Sequence, residues 1–436
     1  MTGIDIIVIG AGAAGLMAAR ALGKAGKKVL VLEARNRLGG RIHTQTNSRF
    51  SIPTETGAEF VHGDLSVTQN LLAEIKNGLL LVEGQSYQIK NGELQASGEF
   101  IADFDKLLEK INELQEDMPL ANFLEQYLAD EEFADLRNSV TRFAEGYDAA
   151  DTKKVSTFAL RDEWQSGGAE NSFHLQGGYG KLIEYLAAQC QALGGVIQLS
   201  TVVKEIKWEL GEATIICNKE QIYQTNKVLI TVPLGILQAS PKAEVYISFN
   251  PELPAKRAAF KKLGFGAVIK ILLEFKEAFW ENERFAHVSR QLPELAFMFA
   301  DNTPFTAWWT QLPHKAHLLT GWLAGPQVKE CQHMPEHALV LKALEALAYI
   351  FKTTIDFLQT QLKASQVINW ATDPYARGAY AYATLATPAA IKVISQPEQN
   401  TLFFAGEAFY EGHAMGTVEA ALASGAEAAS KILQES

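Results

Sequence analysis

Ile6-Ile7-Val8-Ile9-Gly10-Ala11-Gly12-Ala13-Ala14-Gly15 is the stretch that decides the fold. Its first four residues are apolar and β-branched, the composition of a parallel strand buried on both faces. The next six fit the spacing GxGxxG. Gly10 permits a tight turn, Gly12 lets backbone approach a pyrophosphate, and Gly15 lets a helix pack closely on the strand. Ala13 and Ala14 begin a helical stretch that runs to about Ala25, and its N-terminus offers free N–H groups and partial positive charge to phosphates. Val29–Leu32 reads as a second strand. It is followed by Glu33, eighteen residues past Gly15, where an acid can accept hydrogen bonds from a ribose diol. Together these make a βαβ dinucleotide grip. The grip alone suits NAD as well as FAD.

Composition narrows the field around this grip. The chain has 436 residues with a formal net charge of −11, so it is acidic and lacks the cationic surplus a nucleic-acid binder needs. The three cysteines, Cys190, Cys217 and Cys331, are far apart and form no CxxC, so neither a zinc site nor a disulfide framework is indicated. Met1–Asp5 is too short for a signal peptide ahead of the first strand. No apolar run approaches the ~20 residues needed to span a bilayer, and Lys431–Ser436 is polar. The expectation is a cytoplasmic protein with reduced thiols and no membrane or nucleic-acid partner, a monomer or homodimer.

Further along, residues from about Val67 to Ala144 read as helical with loop breaks. Gly177–Leu193 reads as a glycine loop followed by a helix. Val196–Leu199, Val203–Trp208, Ala213–Cys217 and Lys227–Thr231 read as strands, the last ended by Pro233. Gly266–Phe275 and Leu402–Phe404 read as further strands, and Ala338–Phe351 and Thr417–Leu433 as helices. No internal repeat and no disordered linker is visible. Strands in three separate blocks predict two interleaved domains.

The run after Glu33 settles the cofactor. With Ala34-Arg35-Asn36-Arg37-Leu38-Gly39-Gly40-Arg41 the chain resembles the flavin-containing amine oxidase family, which includes monoamine oxidases, polyamine oxidases and lysine-specific histone demethylases. In that resemblance Gly39 and Gly40 bring backbone to the flavin side of FAD, and Arg41 can neutralise its pyrophosphate. The likeness extends nearly end to end. Gly57-Ala58-Glu59-Phe60-Val61-His62-Gly63 is similar to the segment along the flavin ring, and Val203 to the valine whose backbone meets the adenine. Thr231-Val232-Pro233 matches a strand end near the cofactor, and Phe404-Ala405-Gly406-Glu407 the late FAD motif. Thr417-Val418 opens a helix whose N-terminus favours the negative charge of reduced flavin.

What this implies is an α/β chain, α+β overall. A Rossmann-like FAD-binding domain of the amine oxidase and glutathione-reductase type (1–75, 175–245, 392–436) is interleaved with a sheet-plus-helices substrate domain (76–174, 246–391). Residues between Glu99 and Glu170 are too few, and too little heptad-patterned, for the demethylase tower. Lys270 matches the family lysine that holds a water near flavin N5. Tyr382 matches one wall of the amine cage, and Trp370 packs near the ring. Thr417 stands where monoamine oxidases place a second tyrosine, which leaves a more open site. Ala381 stands where they carry the flavin-bonded cysteine, so FAD is expected to be non-covalent. His62 is similar to a histidine that positions the substrate amine in animal polyamine oxidases.

The expected activity is oxidation of a primary or secondary amine by hydride transfer to the flavin, with O2 reduced to H2O2. An aromatic, desolvated site assists by lowering the amine pKa. Two alternatives remain: an L-amino-acid oxidase with Arg142, Arg161 or Arg284 clamping a carboxylate, and a non-catalytic FAD-binding module.

Overall fold

The computed structural model describes residues 3–62, 65–96, 101, 103–166 and 172–435; Gly63, quoted above, lies outside them. Five strands form a parallel sheet in the order Val196–Gln198, Val29–Leu32, Ile6–Ile9, Lys227–Ile230, Leu402–Phe404. The chain leaves Ile6–Ile9 toward a neighbour on one side first and reaches the other side only at Lys227. The strand order therefore reverses beside Gly10, and a crevice opens there at the carboxyl ends of the strands.

Period-two alternation sorts the sheet's apolar residues between two cores. Ile6, Val8, Val29 and Val31 pack under helices Ala13–Lys24, Gly180–Ala192 and Val418–Gln434. Ile7, Ile9, Leu30 and Leu32 pack against Val203, Ile206, Trp208 and Ile215 of a second sheet. Four strands make that smaller sheet: Ile222–Thr225, Glu212–Cys217, Val203–Glu209 and Ser248–Asn250. The strand-rich block Gly195–Val232 is therefore shared between two stacked sheets. Alternation within the block cannot show this split, because a strand's own residues do not name its partner: Val196–Gln198 pairs with Val29–Leu32 and Lys227–Ile230 with Ile6–Ile9.

A mixed seven-stranded sheet builds the other half, in the order Leu362–Asn369, Val268–Phe275, Leu318–Ala324, Ala307–Trp309, Leu295–Ala300, Gln85–Lys90, Glu93–Ala96. Helix Glu336–Phe351 covers one face through Leu339, Ala343, Leu347 and Ile350. The presence of Leu79–Leu81, Gln85–Lys90 and Glu93–Ala96 corrects the helical reading of Val67–Ala144. Gln85–Lys90 is mostly polar, with Ile89 its one fully buried residue. It is a strand because it pairs in parallel with Leu295–Ala300, about two hundred residues away. Helices Phe104–Asn112, Leu120–Tyr127, Ala134–Gly146 and Thr157–Gln165 follow, the longest of 13 residues. Among the described residues, no helix is long and apolar enough to cross a membrane.

Candidate active site

A cavity of about 530 Å3 begins at the glycine turn and runs between the parallel sheet and the large sheet. Each glycine of the fingerprint has a distinct geometric reason. Gly10 has φ +107°, a conformation that L side chains rarely adopt. A Cβ on Gly15 would sit 2.0 Å from the Gly10 carbonyl oxygen, so the helix approaches the strand only without one. A Cβ on Gly12 would meet nothing nearer than the Gly39 carbonyl oxygen at 3.9 Å. Gly12 therefore leaves space on the cavity side, while Gly15 lies on the helix face packed against the Gly10 turn and does not line the cavity.

Gly12 is also the N-cap of helix Ala13–Lys24, with no side-chain cap and no acid in the first turn. The first-turn amides are therefore available to an anion. Glu33 sits beside them, its carboxylate accepting from the backbone N–H groups of Ala11 and Arg35, each at 2.8 Å. A turn with open space, uncapped amides and an acid at the next strand end suits an adenine dinucleotide. The residues present thus fit the ADP half of FAD.

The arginine–glycine loop lies against this cradle. Gly39 N–H donates to the Ala11 carbonyl at 2.9 Å, and Arg37 folds back to donate to the Gly40 carbonyl at 2.8 Å. Arg35 pairs through both terminal nitrogens with Asp373, at 2.5 and 3.0 Å, which ties this loop to the segment between Trp370 and Tyr382. Arg41 pairs with Glu407 at 2.6 Å and donates to the Ala379 carbonyl at 2.5 Å. The two charged residues expected to hold FAD separately are thus partners, and Glu407 also accepts from Ala381 N–H at 3.2 Å. Ala34, Gly40, Gly57, Ala58, Val203, Thr231, Pro233, Gly406 and Val418 all line the same cavity.

At the middle of the cavity stands Lys270, only 1% exposed on its strand. Its ammonium donates to Glu59 Oε2 at 2.5 Å and to the Gly57 carbonyl at 3.3 Å. Glu59 Oε1 accepts from Trp309 Nε1 at 2.9 Å and Gln311 Nε2 at 3.0 Å. Burial pushes the Glu59 carboxyl up, but the Lys270 ammonium, His174 and the hydrogen bonds from Lys270 and Trp309 outweigh it. The net shift is downward, so Glu59 is a carboxylate. A lysine on an apolar strand costs too much to bury alone, and this paired, fully hydrogen-bonded acid makes it possible. Sequence reading put Glu59 with the cofactor and Lys270 with the chemistry. It did not show that they are an ion pair, because 211 residues separate them.

Trp370 and Tyr382 are buried on the cavity wall. Trp370 Nε1 donates to the Thr56 carbonyl at 3.0 Å. Burial pushes the Tyr382 and Tyr380 hydroxyls up, so both stay neutral. His62 lines the wall with its ring 5.6 Å from Tyr147, and its Nδ1 is 3.3 Å from Ser172 Oγ. Thr417 is the N-cap of Val418–Gln434: its hydroxyl donates to the Ala414 carbonyl at 2.7 Å and accepts from Ala420 N–H at 3.2 Å. Of the three arginines considered as carboxylate clamps, Arg142 alone lines the cavity. Arg161 pairs with Asp162 and Arg284 with Glu277. Tyr380, in the same segment as Tyr382, lines it too, as do Trp309, Tyr147, Asp148 and Glu163, to none of which the sequence assigns a role. No motif marks them; the fold gathers them from distant segments.

A family model described as flavin containing amine oxidoreductase matches residues 13–433. The chain is 28% identical to polyamine oxidase 4 of Oryza sativa subsp. japonica over 461 residues, covering 98% of this chain and 88% of that protein. It is 29% identical to lysine-specific histone demethylase 1 homolog 3 of Arabidopsis thaliana and to human lysine-specific histone demethylase 2, each match covering 98% of this chain. It spans 30% of the first demethylase and 53% of the second. A solved putrescine oxidase bound to putrescine shares the fold, with a TM-score of 0.78 and 20% identity over 99% of both chains. The family match runs from the start of helix Ala13–Lys24 through the lysine-bearing sheet, so this chain belongs to the flavin containing amine oxidoreductase family, an amine-oxidising enzyme group, and its cofactor is FAD.

Proposed function

We propose that this chain oxidises a small primary or secondary amine to an imine, which hydrolyses to an aldehyde, with O2 as the electron acceptor and H2O2 as the product. The observation that carries the reading is Lys270, buried as an ion pair with Glu59 where the dinucleotide cradle opens into an aromatic chamber. FAD, when bound, supplies the hydride acceptor. Gly12, the amides of helix Ala13–Lys24 and Glu33 would hold its ADP half, and Gly57, Ala58, Trp370 and Thr417 would surround its ring. Ala381 lines the cavity, and none of the three cysteines does, which supports non-covalent attachment.

The chain's own groups then have separate tasks. Tyr382, Tyr380 and Trp370 exclude water and favour the neutral amine, whose nitrogen lone pair must be free for hydride loss at the α-carbon. His62 orients the amine from the opposite segment. Lys270 keeps a positive charge near the reacting atoms, where it can hold a water and favour anionic oxygen species during reoxidation. Glu59 is a positioning residue that fixes the Lys270 ammonium. The test is anaerobic mixing of the yellow holoprotein with monoamines, diamines, polyamines and amino acids. At least one amine is expected to bleach the flavin, and admitting air should return the colour with H2O2. A panel in which no amine bleaches it would overturn the reading.

Arg142 on the cavity wall favours a second reading, L-amino-acid oxidation with the guanidinium on the substrate carboxylate. Bleaching by amino acids but not by amines would select it.

A further inference from the structure

Helix Val418–Gln434 opens at the cavity: Thr417, Val418 and Ala421 all line it. On its own such a helix end presents partial positive charge and favours the anionic, reduced form of a flavin. Glu419 in its first turn changes that balance. The side chain is 6% exposed and does not line the cavity. It reaches instead to helix Ser66–Glu74, which has no side-chain cap and no acid in its own first turn. Glu419 Oε1 accepts from Val67 N–H, and Oε2 accepts from Thr68 N–H and Thr68 Oγ1, each at 2.8 Å. Two helix N-termini therefore converge on one buried carboxylate.

The capping geometry does not require a charge. A neutral Asn, Ser or Thr supplies acceptor oxygens to a helix start, and burying a carboxylate costs more. Among the described residues, no lysine or arginine pairs with Glu419. Its field reaches the cavity wall. Burial pushes the hydroxyl of Tyr179, which lines the cavity, well up, and the charges of Glu55 and Glu419 push it further. The carboxylate thus acts on the chamber through space while its oxygens are spent on the neighbouring helix.

We infer that Glu419 sets the reduction potential of the flavin. It offsets the positive end of helix Val418–Gln434 and disfavours the negative charge gained when FAD takes up two electrons and one proton. The consequence is a reduced flavin that passes its electrons on more readily. A unit charge within about 10 Å, at an effective dielectric of about 20, biases this equilibrium by about tenfold or more. The inference rests on the placement of the ring beside Thr417 under the proposed function. Glu419 itself touches no reacting atom and is a positioning residue for charge.

The test measures the two-electron potential of the FAD holoprotein by anaerobic equilibration with a reference dye, using dithionite and no amine. Glu419→Gln keeps the shape and removes the charge. Glu419→Ala also removes the charge and admits water to the freed amides, so it carries the test if the Gln variant does not fold. Thr68→Ala deletes one hydrogen bond and keeps the charge. Both Glu419 variants are expected to raise the potential by about 30 mV or more, which is a tenfold shift for a two-electron couple. Thr68→Ala is expected to melt earlier with its potential unchanged. A potential unmoved or lowered in a folded, FAD-loaded Glu419 variant would overturn the inference. So would an equal rise in Thr68→Ala, which would assign the effect to a loosened helix. Loss of FAD from both Glu419 variants would overturn it as well, since the carboxylate would then be structural. Bleaching by an amine with no shift in potential would leave the amine-oxidase reading standing alone. A shifted potential without bleaching by any amine would overturn only that reading.

Discussion

Lys270 and Glu59 show how one residue's chemistry depends on another far away in sequence. A lysine between valine, isoleucine and leucine neighbours has no local reason to be charged and buried. The Glu59 carboxylate, itself held by Trp309 and Gln311, provides one. Lys270→Met keeps the side-chain length and removes the charge. It should slow reoxidation of reduced flavin by O2 by about tenfold or more while altering reduction by amine less, because a single preorganised charge contributes on the order of 100-fold in such sites. Equal reoxidation rates in stopped flow would sink this role. Glu55 offers a pH test. It is buried, accepts from Thr44 Oγ1 at 2.8 Å and Tyr179 N–H at 2.7 Å, and burial raises it from 4.5 to about 7. A carboxyl raised by folding binds its proton more tightly in the folded protein. Its favourable contribution is complete below pH 4.5 and is lost as pH rises to about 7. Glu55→Gln should therefore gain stability relative to wild type between pH 5 and pH 8, by on the order of 2 kcal/mol. Thermal melts at the two pH values check this; a pH-independent difference refutes it.

At the scale of elements, the two helices that frame the cofactor crevice begin differently. Helix Ala13–Lys24 starts on Gly12 with no side-chain cap, which leaves its amides for phosphate. Helix Val418–Gln434 starts on Thr417, whose hydroxyl occupies the cap position. Thr417→Val preserves shape and removes this bond, so it should cost about 1 kcal/mol. An apparent Tm unchanged from wild type would show that the cap contributes nothing. The strands Val29–Leu32, Lys227–Ile230 and Leu402–Phe404 were legible because each is short, apolar and bounded by turn residues. Gln85–Lys90 was not, because a polar strand whose partner is Leu295–Ala300 has no periodic signature of its own. Helix Glu336–Phe351 was legible from its apolar stripe, which faces the large sheet.

In the whole molecule the cavity is bounded by several sheets and helices from distant parts of the chain, so cofactor and fold stabilise each other. FAD binds only the folded chain. Removing it should lower the apparent Tm, since a ligand at 100 times its dissociation constant adds about 2.7 kcal/mol. Adding FAD back should restore the Tm in proportion to the yellow absorbance recovered; a melt indifferent to FAD would contradict this. The sequence by itself determined the dinucleotide grip, because Gly10, Gly12, Gly15 and Glu33 act within one βαβ unit whose geometry is local. It also identified the family, since the run Ala34–Arg41 is contiguous. Only the tertiary structure decided that Lys270 is an ion pair with Glu59 and that Arg41 is paired with Glu407. These pairings join groups on separate elements, and burial changes their charge as the elements close. No spacing along the chain encodes a contact that forms only when distant surfaces pack and exclude water.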